Sequence, residues 1–121
     1  MLVRGIRGAI TVAENTSNAI REATKELLEA MVKENGLDPE LIASAIFTVT
    51  KDINGDFPAS AARDMGWNMV PLICATEIDV PGGMARVIRV LLHVNTIKPQ
   101  GEIKHIYLRG AVGLRKDLAA Q

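Results

Sequence analysis

The chain has 121 residues, of which 48% are hydrophobic and 3% aromatic, so we expect one folded domain, residues 1–121, with an aliphatic core. The formal net charge is zero and the isoelectric point is near 6.7, so no overall field favours nucleic acid or an anionic membrane as a partner. No apolar run is long enough to span a membrane and no signal peptide is recognisable, which predicts a cytoplasmic protein.

The first predicted elements are a strand and a long helix. From Leu2 to Val12 the residues alternate as in a strand, and each of its two faces carries one arginine. From Glu14 to Gly36 apolar residues recur at helical spacing, and Thr16 or Ser17 supplies the N-cap. Glycine at the end of this pattern is a typical helix stop.

Shorter elements follow the long helix. A capping aspartate before Pro39 predicts a short helix that runs to about Ala43. β-Branched residues predict a second strand from Ala45 to Lys51. After a turn-rich loop, Phe57-Pro58 begins another short helix that ends near Gly66.

Three more strands are predicted in the second half of the chain. They cover Val70–Asp79, Arg86–Asn95 and His105–Val112, and the Pro81-Gly82-Gly83 turn between the first two is typical of a hairpin. The order of elements indicates an α+β (mixed α/β) domain, with a five-stranded mixed sheet and its helices on one face. The other face needs a cover as well, and a trimer would provide one.

Arg89 lies in the middle of the very apolar fourth strand. Because a guanidinium keeps its charge, burying it without a partner is costly. It therefore either pairs with Glu77 or Asp79 inside the protein or binds an anionic ligand. Strict alternation puts Cys74 and Glu77 on opposite faces of the third strand, so both can line one site only if that strand bulges or ends between them.

Other kinds of chemistry find little support in the sequence. Cys74 with His93 or His105 could combine a nucleophile and a base, but neither histidine lies in a local motif. The single cysteine excludes an internal disulfide, and no metal-ligand spacing or phosphate-binding loop is recognisable. Eight of the fourteen basic residues are arginines. Four of these lie on separate elements that could converge: Arg7, Arg63, Arg89 and Arg115.

Five segments carry a resemblance to a known family. They are Arg4-Gly5-Ile6-Arg7-Gly8-Ala9, Phe57-Pro58-Ala59 followed by Arg63, Pro71 to Asp79, Gly82-Gly83 leading to Ile88-Arg89-Val90, and His105-Ile106-Tyr107-Leu108 before Leu114-Arg115. Their joint order and spacing, over almost the whole chain, resemble the bacterial trimeric chorismate mutases, the non-helical class of that enzyme.

This resemblance implies a homotrimeric pseudo-α/β barrel that converts chorismate to prephenate, in phenylalanine and tyrosine biosynthesis, at sites between subunits. It implies no cofactor and no metal. Arg7 and Tyr107 resemble ligands of a substrate carboxylate, Arg89 resembles the donor to the ether oxygen, and Glu77 resembles the acceptor for the ring hydroxyl. The other positions that match the family's pocket are Phe57, Ala59, Arg63, Ile73, Cys74, Leu114 and Arg115.

Two positions depart from the family pattern. Some relatives place a lysine at the pocket rim where this chain has Ser60, and a proline can stand where it has Lys116. These departures bear on the charge of the rim and the order of the tail. We expect one subunit to contribute Phe57, Arg63, Cys74 and Glu77, and its neighbour to contribute Arg7, Arg89, Tyr107 and Arg115.

Two alternatives remain open on the residues alone. A trimeric deaminase-like or small-acid binding protein could place Arg89 at a subunit seam, although it would not account for the set Arg7, Glu77 and Tyr107. A structural interaction module would hold the arginines in internal pairs. The chorismate mutase hypothesis explains the several arginines and the lack of a base, since a Claisen rearrangement of a dianion needs fixed cations and a preorganised donor but no base.

Overall fold

Five strands form one mixed sheet in the computed structural model, which describes residues 1–114. The strands are β1 (Leu2–Thr11), β2 (Ile42–Val49), β3 (Leu72–Thr76), β4 (Val87–Thr96) and β5 (Ile106–Leu108). Their order across the sheet is β3-β2-β4-β1-β5. Strand β4 runs antiparallel to β1 and β2, whereas β3 and β5 pair in parallel at the two edges. The predicted five-stranded mixed sheet is confirmed.

Helix α1 (Ser17–Asn35) covers one face of the sheet. The side chain of Thr16 caps it by accepting a hydrogen bond from the backbone N–H of Ala19 at 3.2 Å, and Gly36 ends it with a φ of 59°. A β-carbon on Gly8 of β1 would lie 2.4 Å from the sulfur of Met31. Glycine at this position therefore allows the helix to pack closely on the strand.

The hydrophobic core fills the space between α1 and this face of the sheet. Its fully buried members include Ile6 and Ile10 of β1, Phe47 of β2 and Leu92 of β4. Helix α2 (Ala59–Asp64) packs against α1 at the margin of the core. Helix and sheet thus bury their apolar sides against each other, as the alternation along β1, β2 and β4 requires.

The opposite face of the sheet is open over most of its area within residues 1–114. A 3-10 turn, Arg109–Gly113, covers one end of it, where Ala111 packs with Ala9 and Tyr107. Elsewhere this open face carries the exposed side chains of Ile46 and Ile73. The open face therefore leaves both apolar and polar side chains accessible in one chain.

Several predicted bounds differ from the structure. Helix α1 begins three residues after the predicted Glu14, and the short helix predicted to about Ala43 is only a 3-10 turn, Pro39–Leu41, before β2. The third strand is half its predicted length. The fifth ends at Leu108 because Arg109 adopts a φ of 54° and begins the turn.

The predicted hairpin around Pro81-Gly82-Gly83 is wrong, because β2 lies between β3 and β4 in the sheet. The turn belongs to a connection, residues 77–86, that crosses the end of β2. There the N–H of Glu77 donates to the carbonyl of Val49, and the N–H of Thr50 donates to the carbonyl of Val87. Within residues 1–114, no helix has the length and apolar character needed to cross a membrane.

Candidate active site

Arg89 projects from the middle of β4 onto the open face of the sheet. Its register partners are Ala9 on β1 and Thr48 on β2. Its sequence neighbours Ile88 and Val90 point the other way and are buried in the core. The Arg89 side chain is 43% exposed, although its Nε atom is buried. The guanidinium can therefore reach a ligand without leaving the strand.

Glu77 meets Arg89 from the segment that follows β3. Because β3 ends at Thr76, alternation no longer fixes the direction of the Glu77 side chain. Its Oε1 lies 2.6 Å from the Nε of Arg89 and accepts a hydrogen bond of 2.8 Å from the Oγ1 of Thr48. Arg89 therefore pairs with Glu77 and not with Asp79, which pairs with Lys51.

The Arg89–Glu77 contact leaves hydrogen-bonding capacity unused. The Nε atom is close to the carboxylate but outside hydrogen-bond geometry, and within residues 1–114 this buried atom has no hydrogen-bond partner. A guanidinium has five N–H donors on three nitrogens, and the 2.6 Å contact with Glu77 is made at Nε. The pair is thus a fixed charge arrangement that can still donate to an anion.

Arg7 and Tyr107 complete a cavity of about 350 Å³ around this ion pair. Its size falls within the range of small-molecule sites. The polar side chains that line it are Arg7, Thr48, Glu77, Arg89 and Tyr107. A larger cavity, of about 1030 Å³, lies between α1 and β5 and has Glu34, Glu102, Lys98 and Lys104 among its lining residues. Of these two cavities, only the smaller is lined by two arginines and a glutamate.

Four of the predicted substrate ligands therefore meet in one chain: Arg7, Glu77, Arg89 and Tyr107. Leu114 lies beside them, because it packs against the cluster that contains Tyr107. Glu77 shares a chain with Arg89 through their ion pair. The expectation that Glu77 and Arg89 come from different subunits is wrong.

The predicted residues on and before α2 do not line this cavity. Phe57 is 67% exposed, Arg63 is also exposed, and Ala59 is buried at the first turn of the helix. Helix α2 packs on α1, which covers the other face of the sheet. A site that includes Phe57 and Arg63 therefore needs them from another chain.

The predicted residues of β3 divide between the two faces of the sheet. Ile73 shares the open face with Ile46, its register partner, and is exposed. Cys74 faces the other way and packs against the core. The strand does end between Cys74 and Glu77, as one site would require, but the cysteine does not reach the cavity of its own chain. Arg115 lies outside the described residues.

The nucleophile–base alternative is wrong. Cys74 lies on the helix-covered face, whereas His93 is on the open face, where its Nδ1 is 3.0 Å from the Oγ of Ser44. His105 uses its Nδ1 to accept a hydrogen bond from the backbone N–H of Arg7. Neither ring is therefore arranged to take a proton from the thiol.

Comparisons with known proteins agree on one family. The family model described as chorismate mutase type I matches residues 3–118. The chain belongs to the type I chorismate mutase family. It is 55% identical over 118 residues to chorismate mutase AroH of Thermus thermophilus, covering 97% of each chain. It is 44% identical over 120 residues to chorismate mutase AroH of Bacillus subtilis strain 168, covering 98% of this chain and 94% of the relative.

A solved chorismate mutase structure from Clostridium thermocellum has the same fold, with a TM-score of 0.88 and 53% identity. The match covers 89% of this chain and 96% of the other. The resemblance to chorismate mutases and the predicted fold class are therefore confirmed. This membership sets aside the deaminase-like and purely structural alternatives.

Thr48 also lines the candidate site, although the sequence did not reveal it. Alternation with the buried Phe47 indicates only that Thr48 faces away from the core. Its hydrogen bond to Glu77 joins residues 29 positions apart and depends on the connection that crosses β2. Knowledge of the strand order would have been needed to find it.

Ser60, where some chorismate mutases have a lysine, has a structural contact in this chain. It is buried and donates to the carboxylate of Asp56 at 3.1 Å. Ser17 and Arg21 donate to the same carboxylate, as does the backbone N–H of Phe57. These donors, Ser17 first, lower the pKa of Asp56 well below its usual range. Asp56 thus anchors α2 and the backbone of Phe57 to α1.

Proposed function

We propose that the protein rearranges chorismate to prephenate in the cavity on the open face of its sheet. Membership in the type I chorismate mutase family supports this activity. The observation that carries the assignment of the site is the arrangement of Arg89, Glu77 and Thr48, with Arg7 and Tyr107 lining the same cavity.

The chemistry of the rearrangement matches these residue types. In a Claisen rearrangement the ether C–O bond breaks as a new C–C bond forms within one molecule, so no proton has to move. The substrate carries two carboxylates and must be held in a compact chair while negative charge grows on the ether oxygen. Fixed cations and a preorganised donor lower this barrier through orientation and electrostatic stabilisation. The reaction needs no redox or group-carrying cofactor.

Arg89 is the donor to the ether oxygen in this proposal. Its guanidinium is planar and permanently charged, so it can meet the ether oxygen and a neighbouring carboxylate at the same time. Its position in the middle of β4, with Glu77 at 2.6 Å, restricts the movement of the side chain. A donor held in place before the reaction does not have to reorganise as charge develops.

The other polar side chains bind the ends of the substrate. Arg7 and Tyr107, on the paired strands β1 and β5, supply a cation and a hydroxyl for one carboxylate. Glu77 accepts a hydrogen bond from the ring hydroxyl, and Thr48 fixes its carboxylate for this contact.

A homotrimer would complete this site. On the open face, Leu91, Ile46 and Ile73 form an apolar row across three adjacent strands, and the latter two are exposed in one chain. Such a row favours cover by another subunit. The neighbouring chain would then supply Phe57 and Arg63 to the wall of the cavity. Light scattering at micromolar concentration should give the mass of a trimer, and a stable monomer would contradict this part of the proposal.

The loss of the ultraviolet absorbance of chorismate tests the activity. Micromolar protein should accelerate this loss far above the rate in buffer, and proton NMR should identify prephenate as the product. The matched control is Arg89→Ala at the same concentration, with its fold checked by circular dichroism. A rate no higher than that in buffer would refute the proposed function.

A further inference from the structure

The backbone N–H of Arg7 makes an unusual hydrogen bond for a residue inside a strand. It donates to the Nδ1 atom of His105 at 3.0 Å. The parallel pairing of β1 with β5 begins one residue later, at Gly8 and Ile106. The histidine ring therefore continues the attachment between the two strands at the point where the backbone ladder stops.

This attachment joins the two proposed ligands of one substrate carboxylate. Arg7 is on β1, and Tyr107 follows His105 by two residues on β5, where it pairs with Ala9. Both side chains line the cavity that contains Arg89. The distance between the guanidinium of Arg7 and the hydroxyl of Tyr107 thus depends on how the backbone of β1 lies against the start of β5.

Arg7 lies between Gly5 and Gly8 on β1, where the pairing with β4 restrains one edge of the strand and His105 the other. Glycine allows a wider range of backbone conformations than other residues. Gly8 is needed for the close approach of Met31, so the sequence cannot stiffen the strand there with a larger residue. A hydrogen bond to the N–H of Arg7 is therefore a direct way to fix its position.

We propose that His105 is a positioning residue for substrate binding, which holds Arg7 in register with Tyr107 through this hydrogen bond. The role rests on the proposed function of the cavity. His105 need not touch the substrate, so its loss should raise KM more than it lowers kcat.

The contact also makes substrate binding sensitive to pH. An imidazole nitrogen can accept a hydrogen bond only while it carries no proton, and both nitrogens are protonated in the imidazolium. When the ring of His105 takes up a proton at acid pH, the N–H of Arg7 loses its acceptor and KM should rise. Within residues 1–114, the charged side chains that share a cavity with His105 are Arg4 and Arg7 of β1, Glu34 of α1, and Lys98, Glu102 and Lys104 of the segment before β5.

Two substitutions separate positioning from a general structural role. His105→Leu replaces the ring with an apolar side chain of similar size and removes the acceptor. It should raise KM roughly 2- to 10-fold at pH 8, which corresponds to the loss of one neutral hydrogen bond. In His105→Asn the amide oxygen can take the place of Nδ1 and does not titrate. This variant should recover most of the lost affinity and lose the rise of KM between pH 8 and pH 5.

The chain provides a matched control in its one other histidine. His93→Asn removes the other imidazole ring, which contacts Ser44 on the open face, and should retain the pH dependence of KM. The amide resonance of Arg7 in a ¹⁵N-labelled sample gives a readout that does not need turnover. It should shift with pH in the unmodified protein and stay constant in His105→Asn.

The proposal is overturned if His105→Leu has an unchanged KM, or if His105→Asn keeps the pH dependence of KM. If His105→Leu does not fold, the His105→Asn variant and the amide resonance of Arg7 still test the positioning role. If the unmodified protein turns over chorismate and the His105 variants have the same KM, the role of His105 is refuted but the proposed function stands. No turnover by the unmodified protein would remove the proposed function and, with it, the role of His105 in binding.

Discussion

The two faces of the sheet come from the same strands but differ in composition and packing. On the helix-covered face, Phe47 and Ile88 are fully buried in an aliphatic core. One residue further along each strand, Thr48 and Arg89 lie on the open face and form the charged site with Glu77. Because side chains alternate, adjacent residues can serve stability and chemistry separately. Substitutions on the two faces should therefore affect different measurements.

The largest effect on stability is expected from Phe47→Ala. Removing a fully buried aromatic ring should lower the free energy of unfolding by roughly 3–5 kcal/mol, measured by urea denaturation at fixed protein concentration. The kcat of the protein that remains folded should change little. Phe47→Leu is the control and should cost less than about 1.5 kcal/mol. A large fall in kcat without loss of stability would show that the two faces are not separable.

Arg89→Ala should have the opposite signature. Without the donor to the ether oxygen, kcat should fall at least ~10²-fold, about 2.7 kcal/mol. The melting temperature should change less than in Phe47→Ala, because the Arg89 side chain is 43% exposed and Glu77 keeps its hydrogen bond from Thr48 when Arg89 is removed. A lowered melting temperature with normal kcat would instead assign Arg89 a purely structural role.

Thr48→Val tests how the open face orients its carboxylate. Valine keeps the shape of threonine but cannot donate to Glu77, so kcat/KM should fall roughly 10-fold, the lower range for a hydrogen bond to a charged group. Thr48→Ser retains the hydroxyl and is the matched control. Equal losses in the two variants would indicate that packing, rather than the hydrogen bond, matters at this position.

The smallest expected effect is on the melting temperature at acid pH, in the Asp56→Asn variant on the helix-covered side. The pKa of Asp56 is lower in the folded chain than the usual value of about 3.9, so its hydrogen bonds stabilise the fold fully above that value. This stabilisation is lost as the pH falls below that value toward the lower pKa of the folded chain. In Asp56→Asn the melting temperature should depend less on pH between 5 and 2 than in the unmodified protein. An identical dependence would contradict the assignment of this carboxylate.

Local patterns in the sequence predicted most of the elements but not their pairing. The helical spacing before Gly36 and the β-branched runs of β2 and β4 are local features, and both kinds of element form close to their predicted bounds. The hairpin prediction failed because a Pro-Gly-Gly turn shows that the chain reverses, not which strands become neighbours. Strand β2 between β3 and β4 results from contacts distant in sequence.

The site was predictable in its residue types and only partly in its geometry. The resemblance predicted Arg7, Glu77 and Tyr107 for the site, and the structure places them around one cavity. The apolar setting of Arg89 indicated a partner or a ligand. Thr48 could not be found, since its contact with Glu77 depends on the strand order. The assignment of Glu77 and Arg89 to different subunits failed for another reason. Because β3 ends at Thr76, the carboxylate of Glu77 turns toward Arg89 of its own sheet.

The kcat of Arg89→Lys, measured on protein whose fold and mass match those of the unmodified protein, tests the central claim most directly. Lysine keeps the positive charge but has no planar fork to meet two oxygens at once. If Arg89 stabilises the charge that develops on the ether oxygen, kcat should fall almost as far as in Arg89→Ala. A folded Arg89→Lys protein with near-normal kcat would contradict the role assigned to this guanidinium.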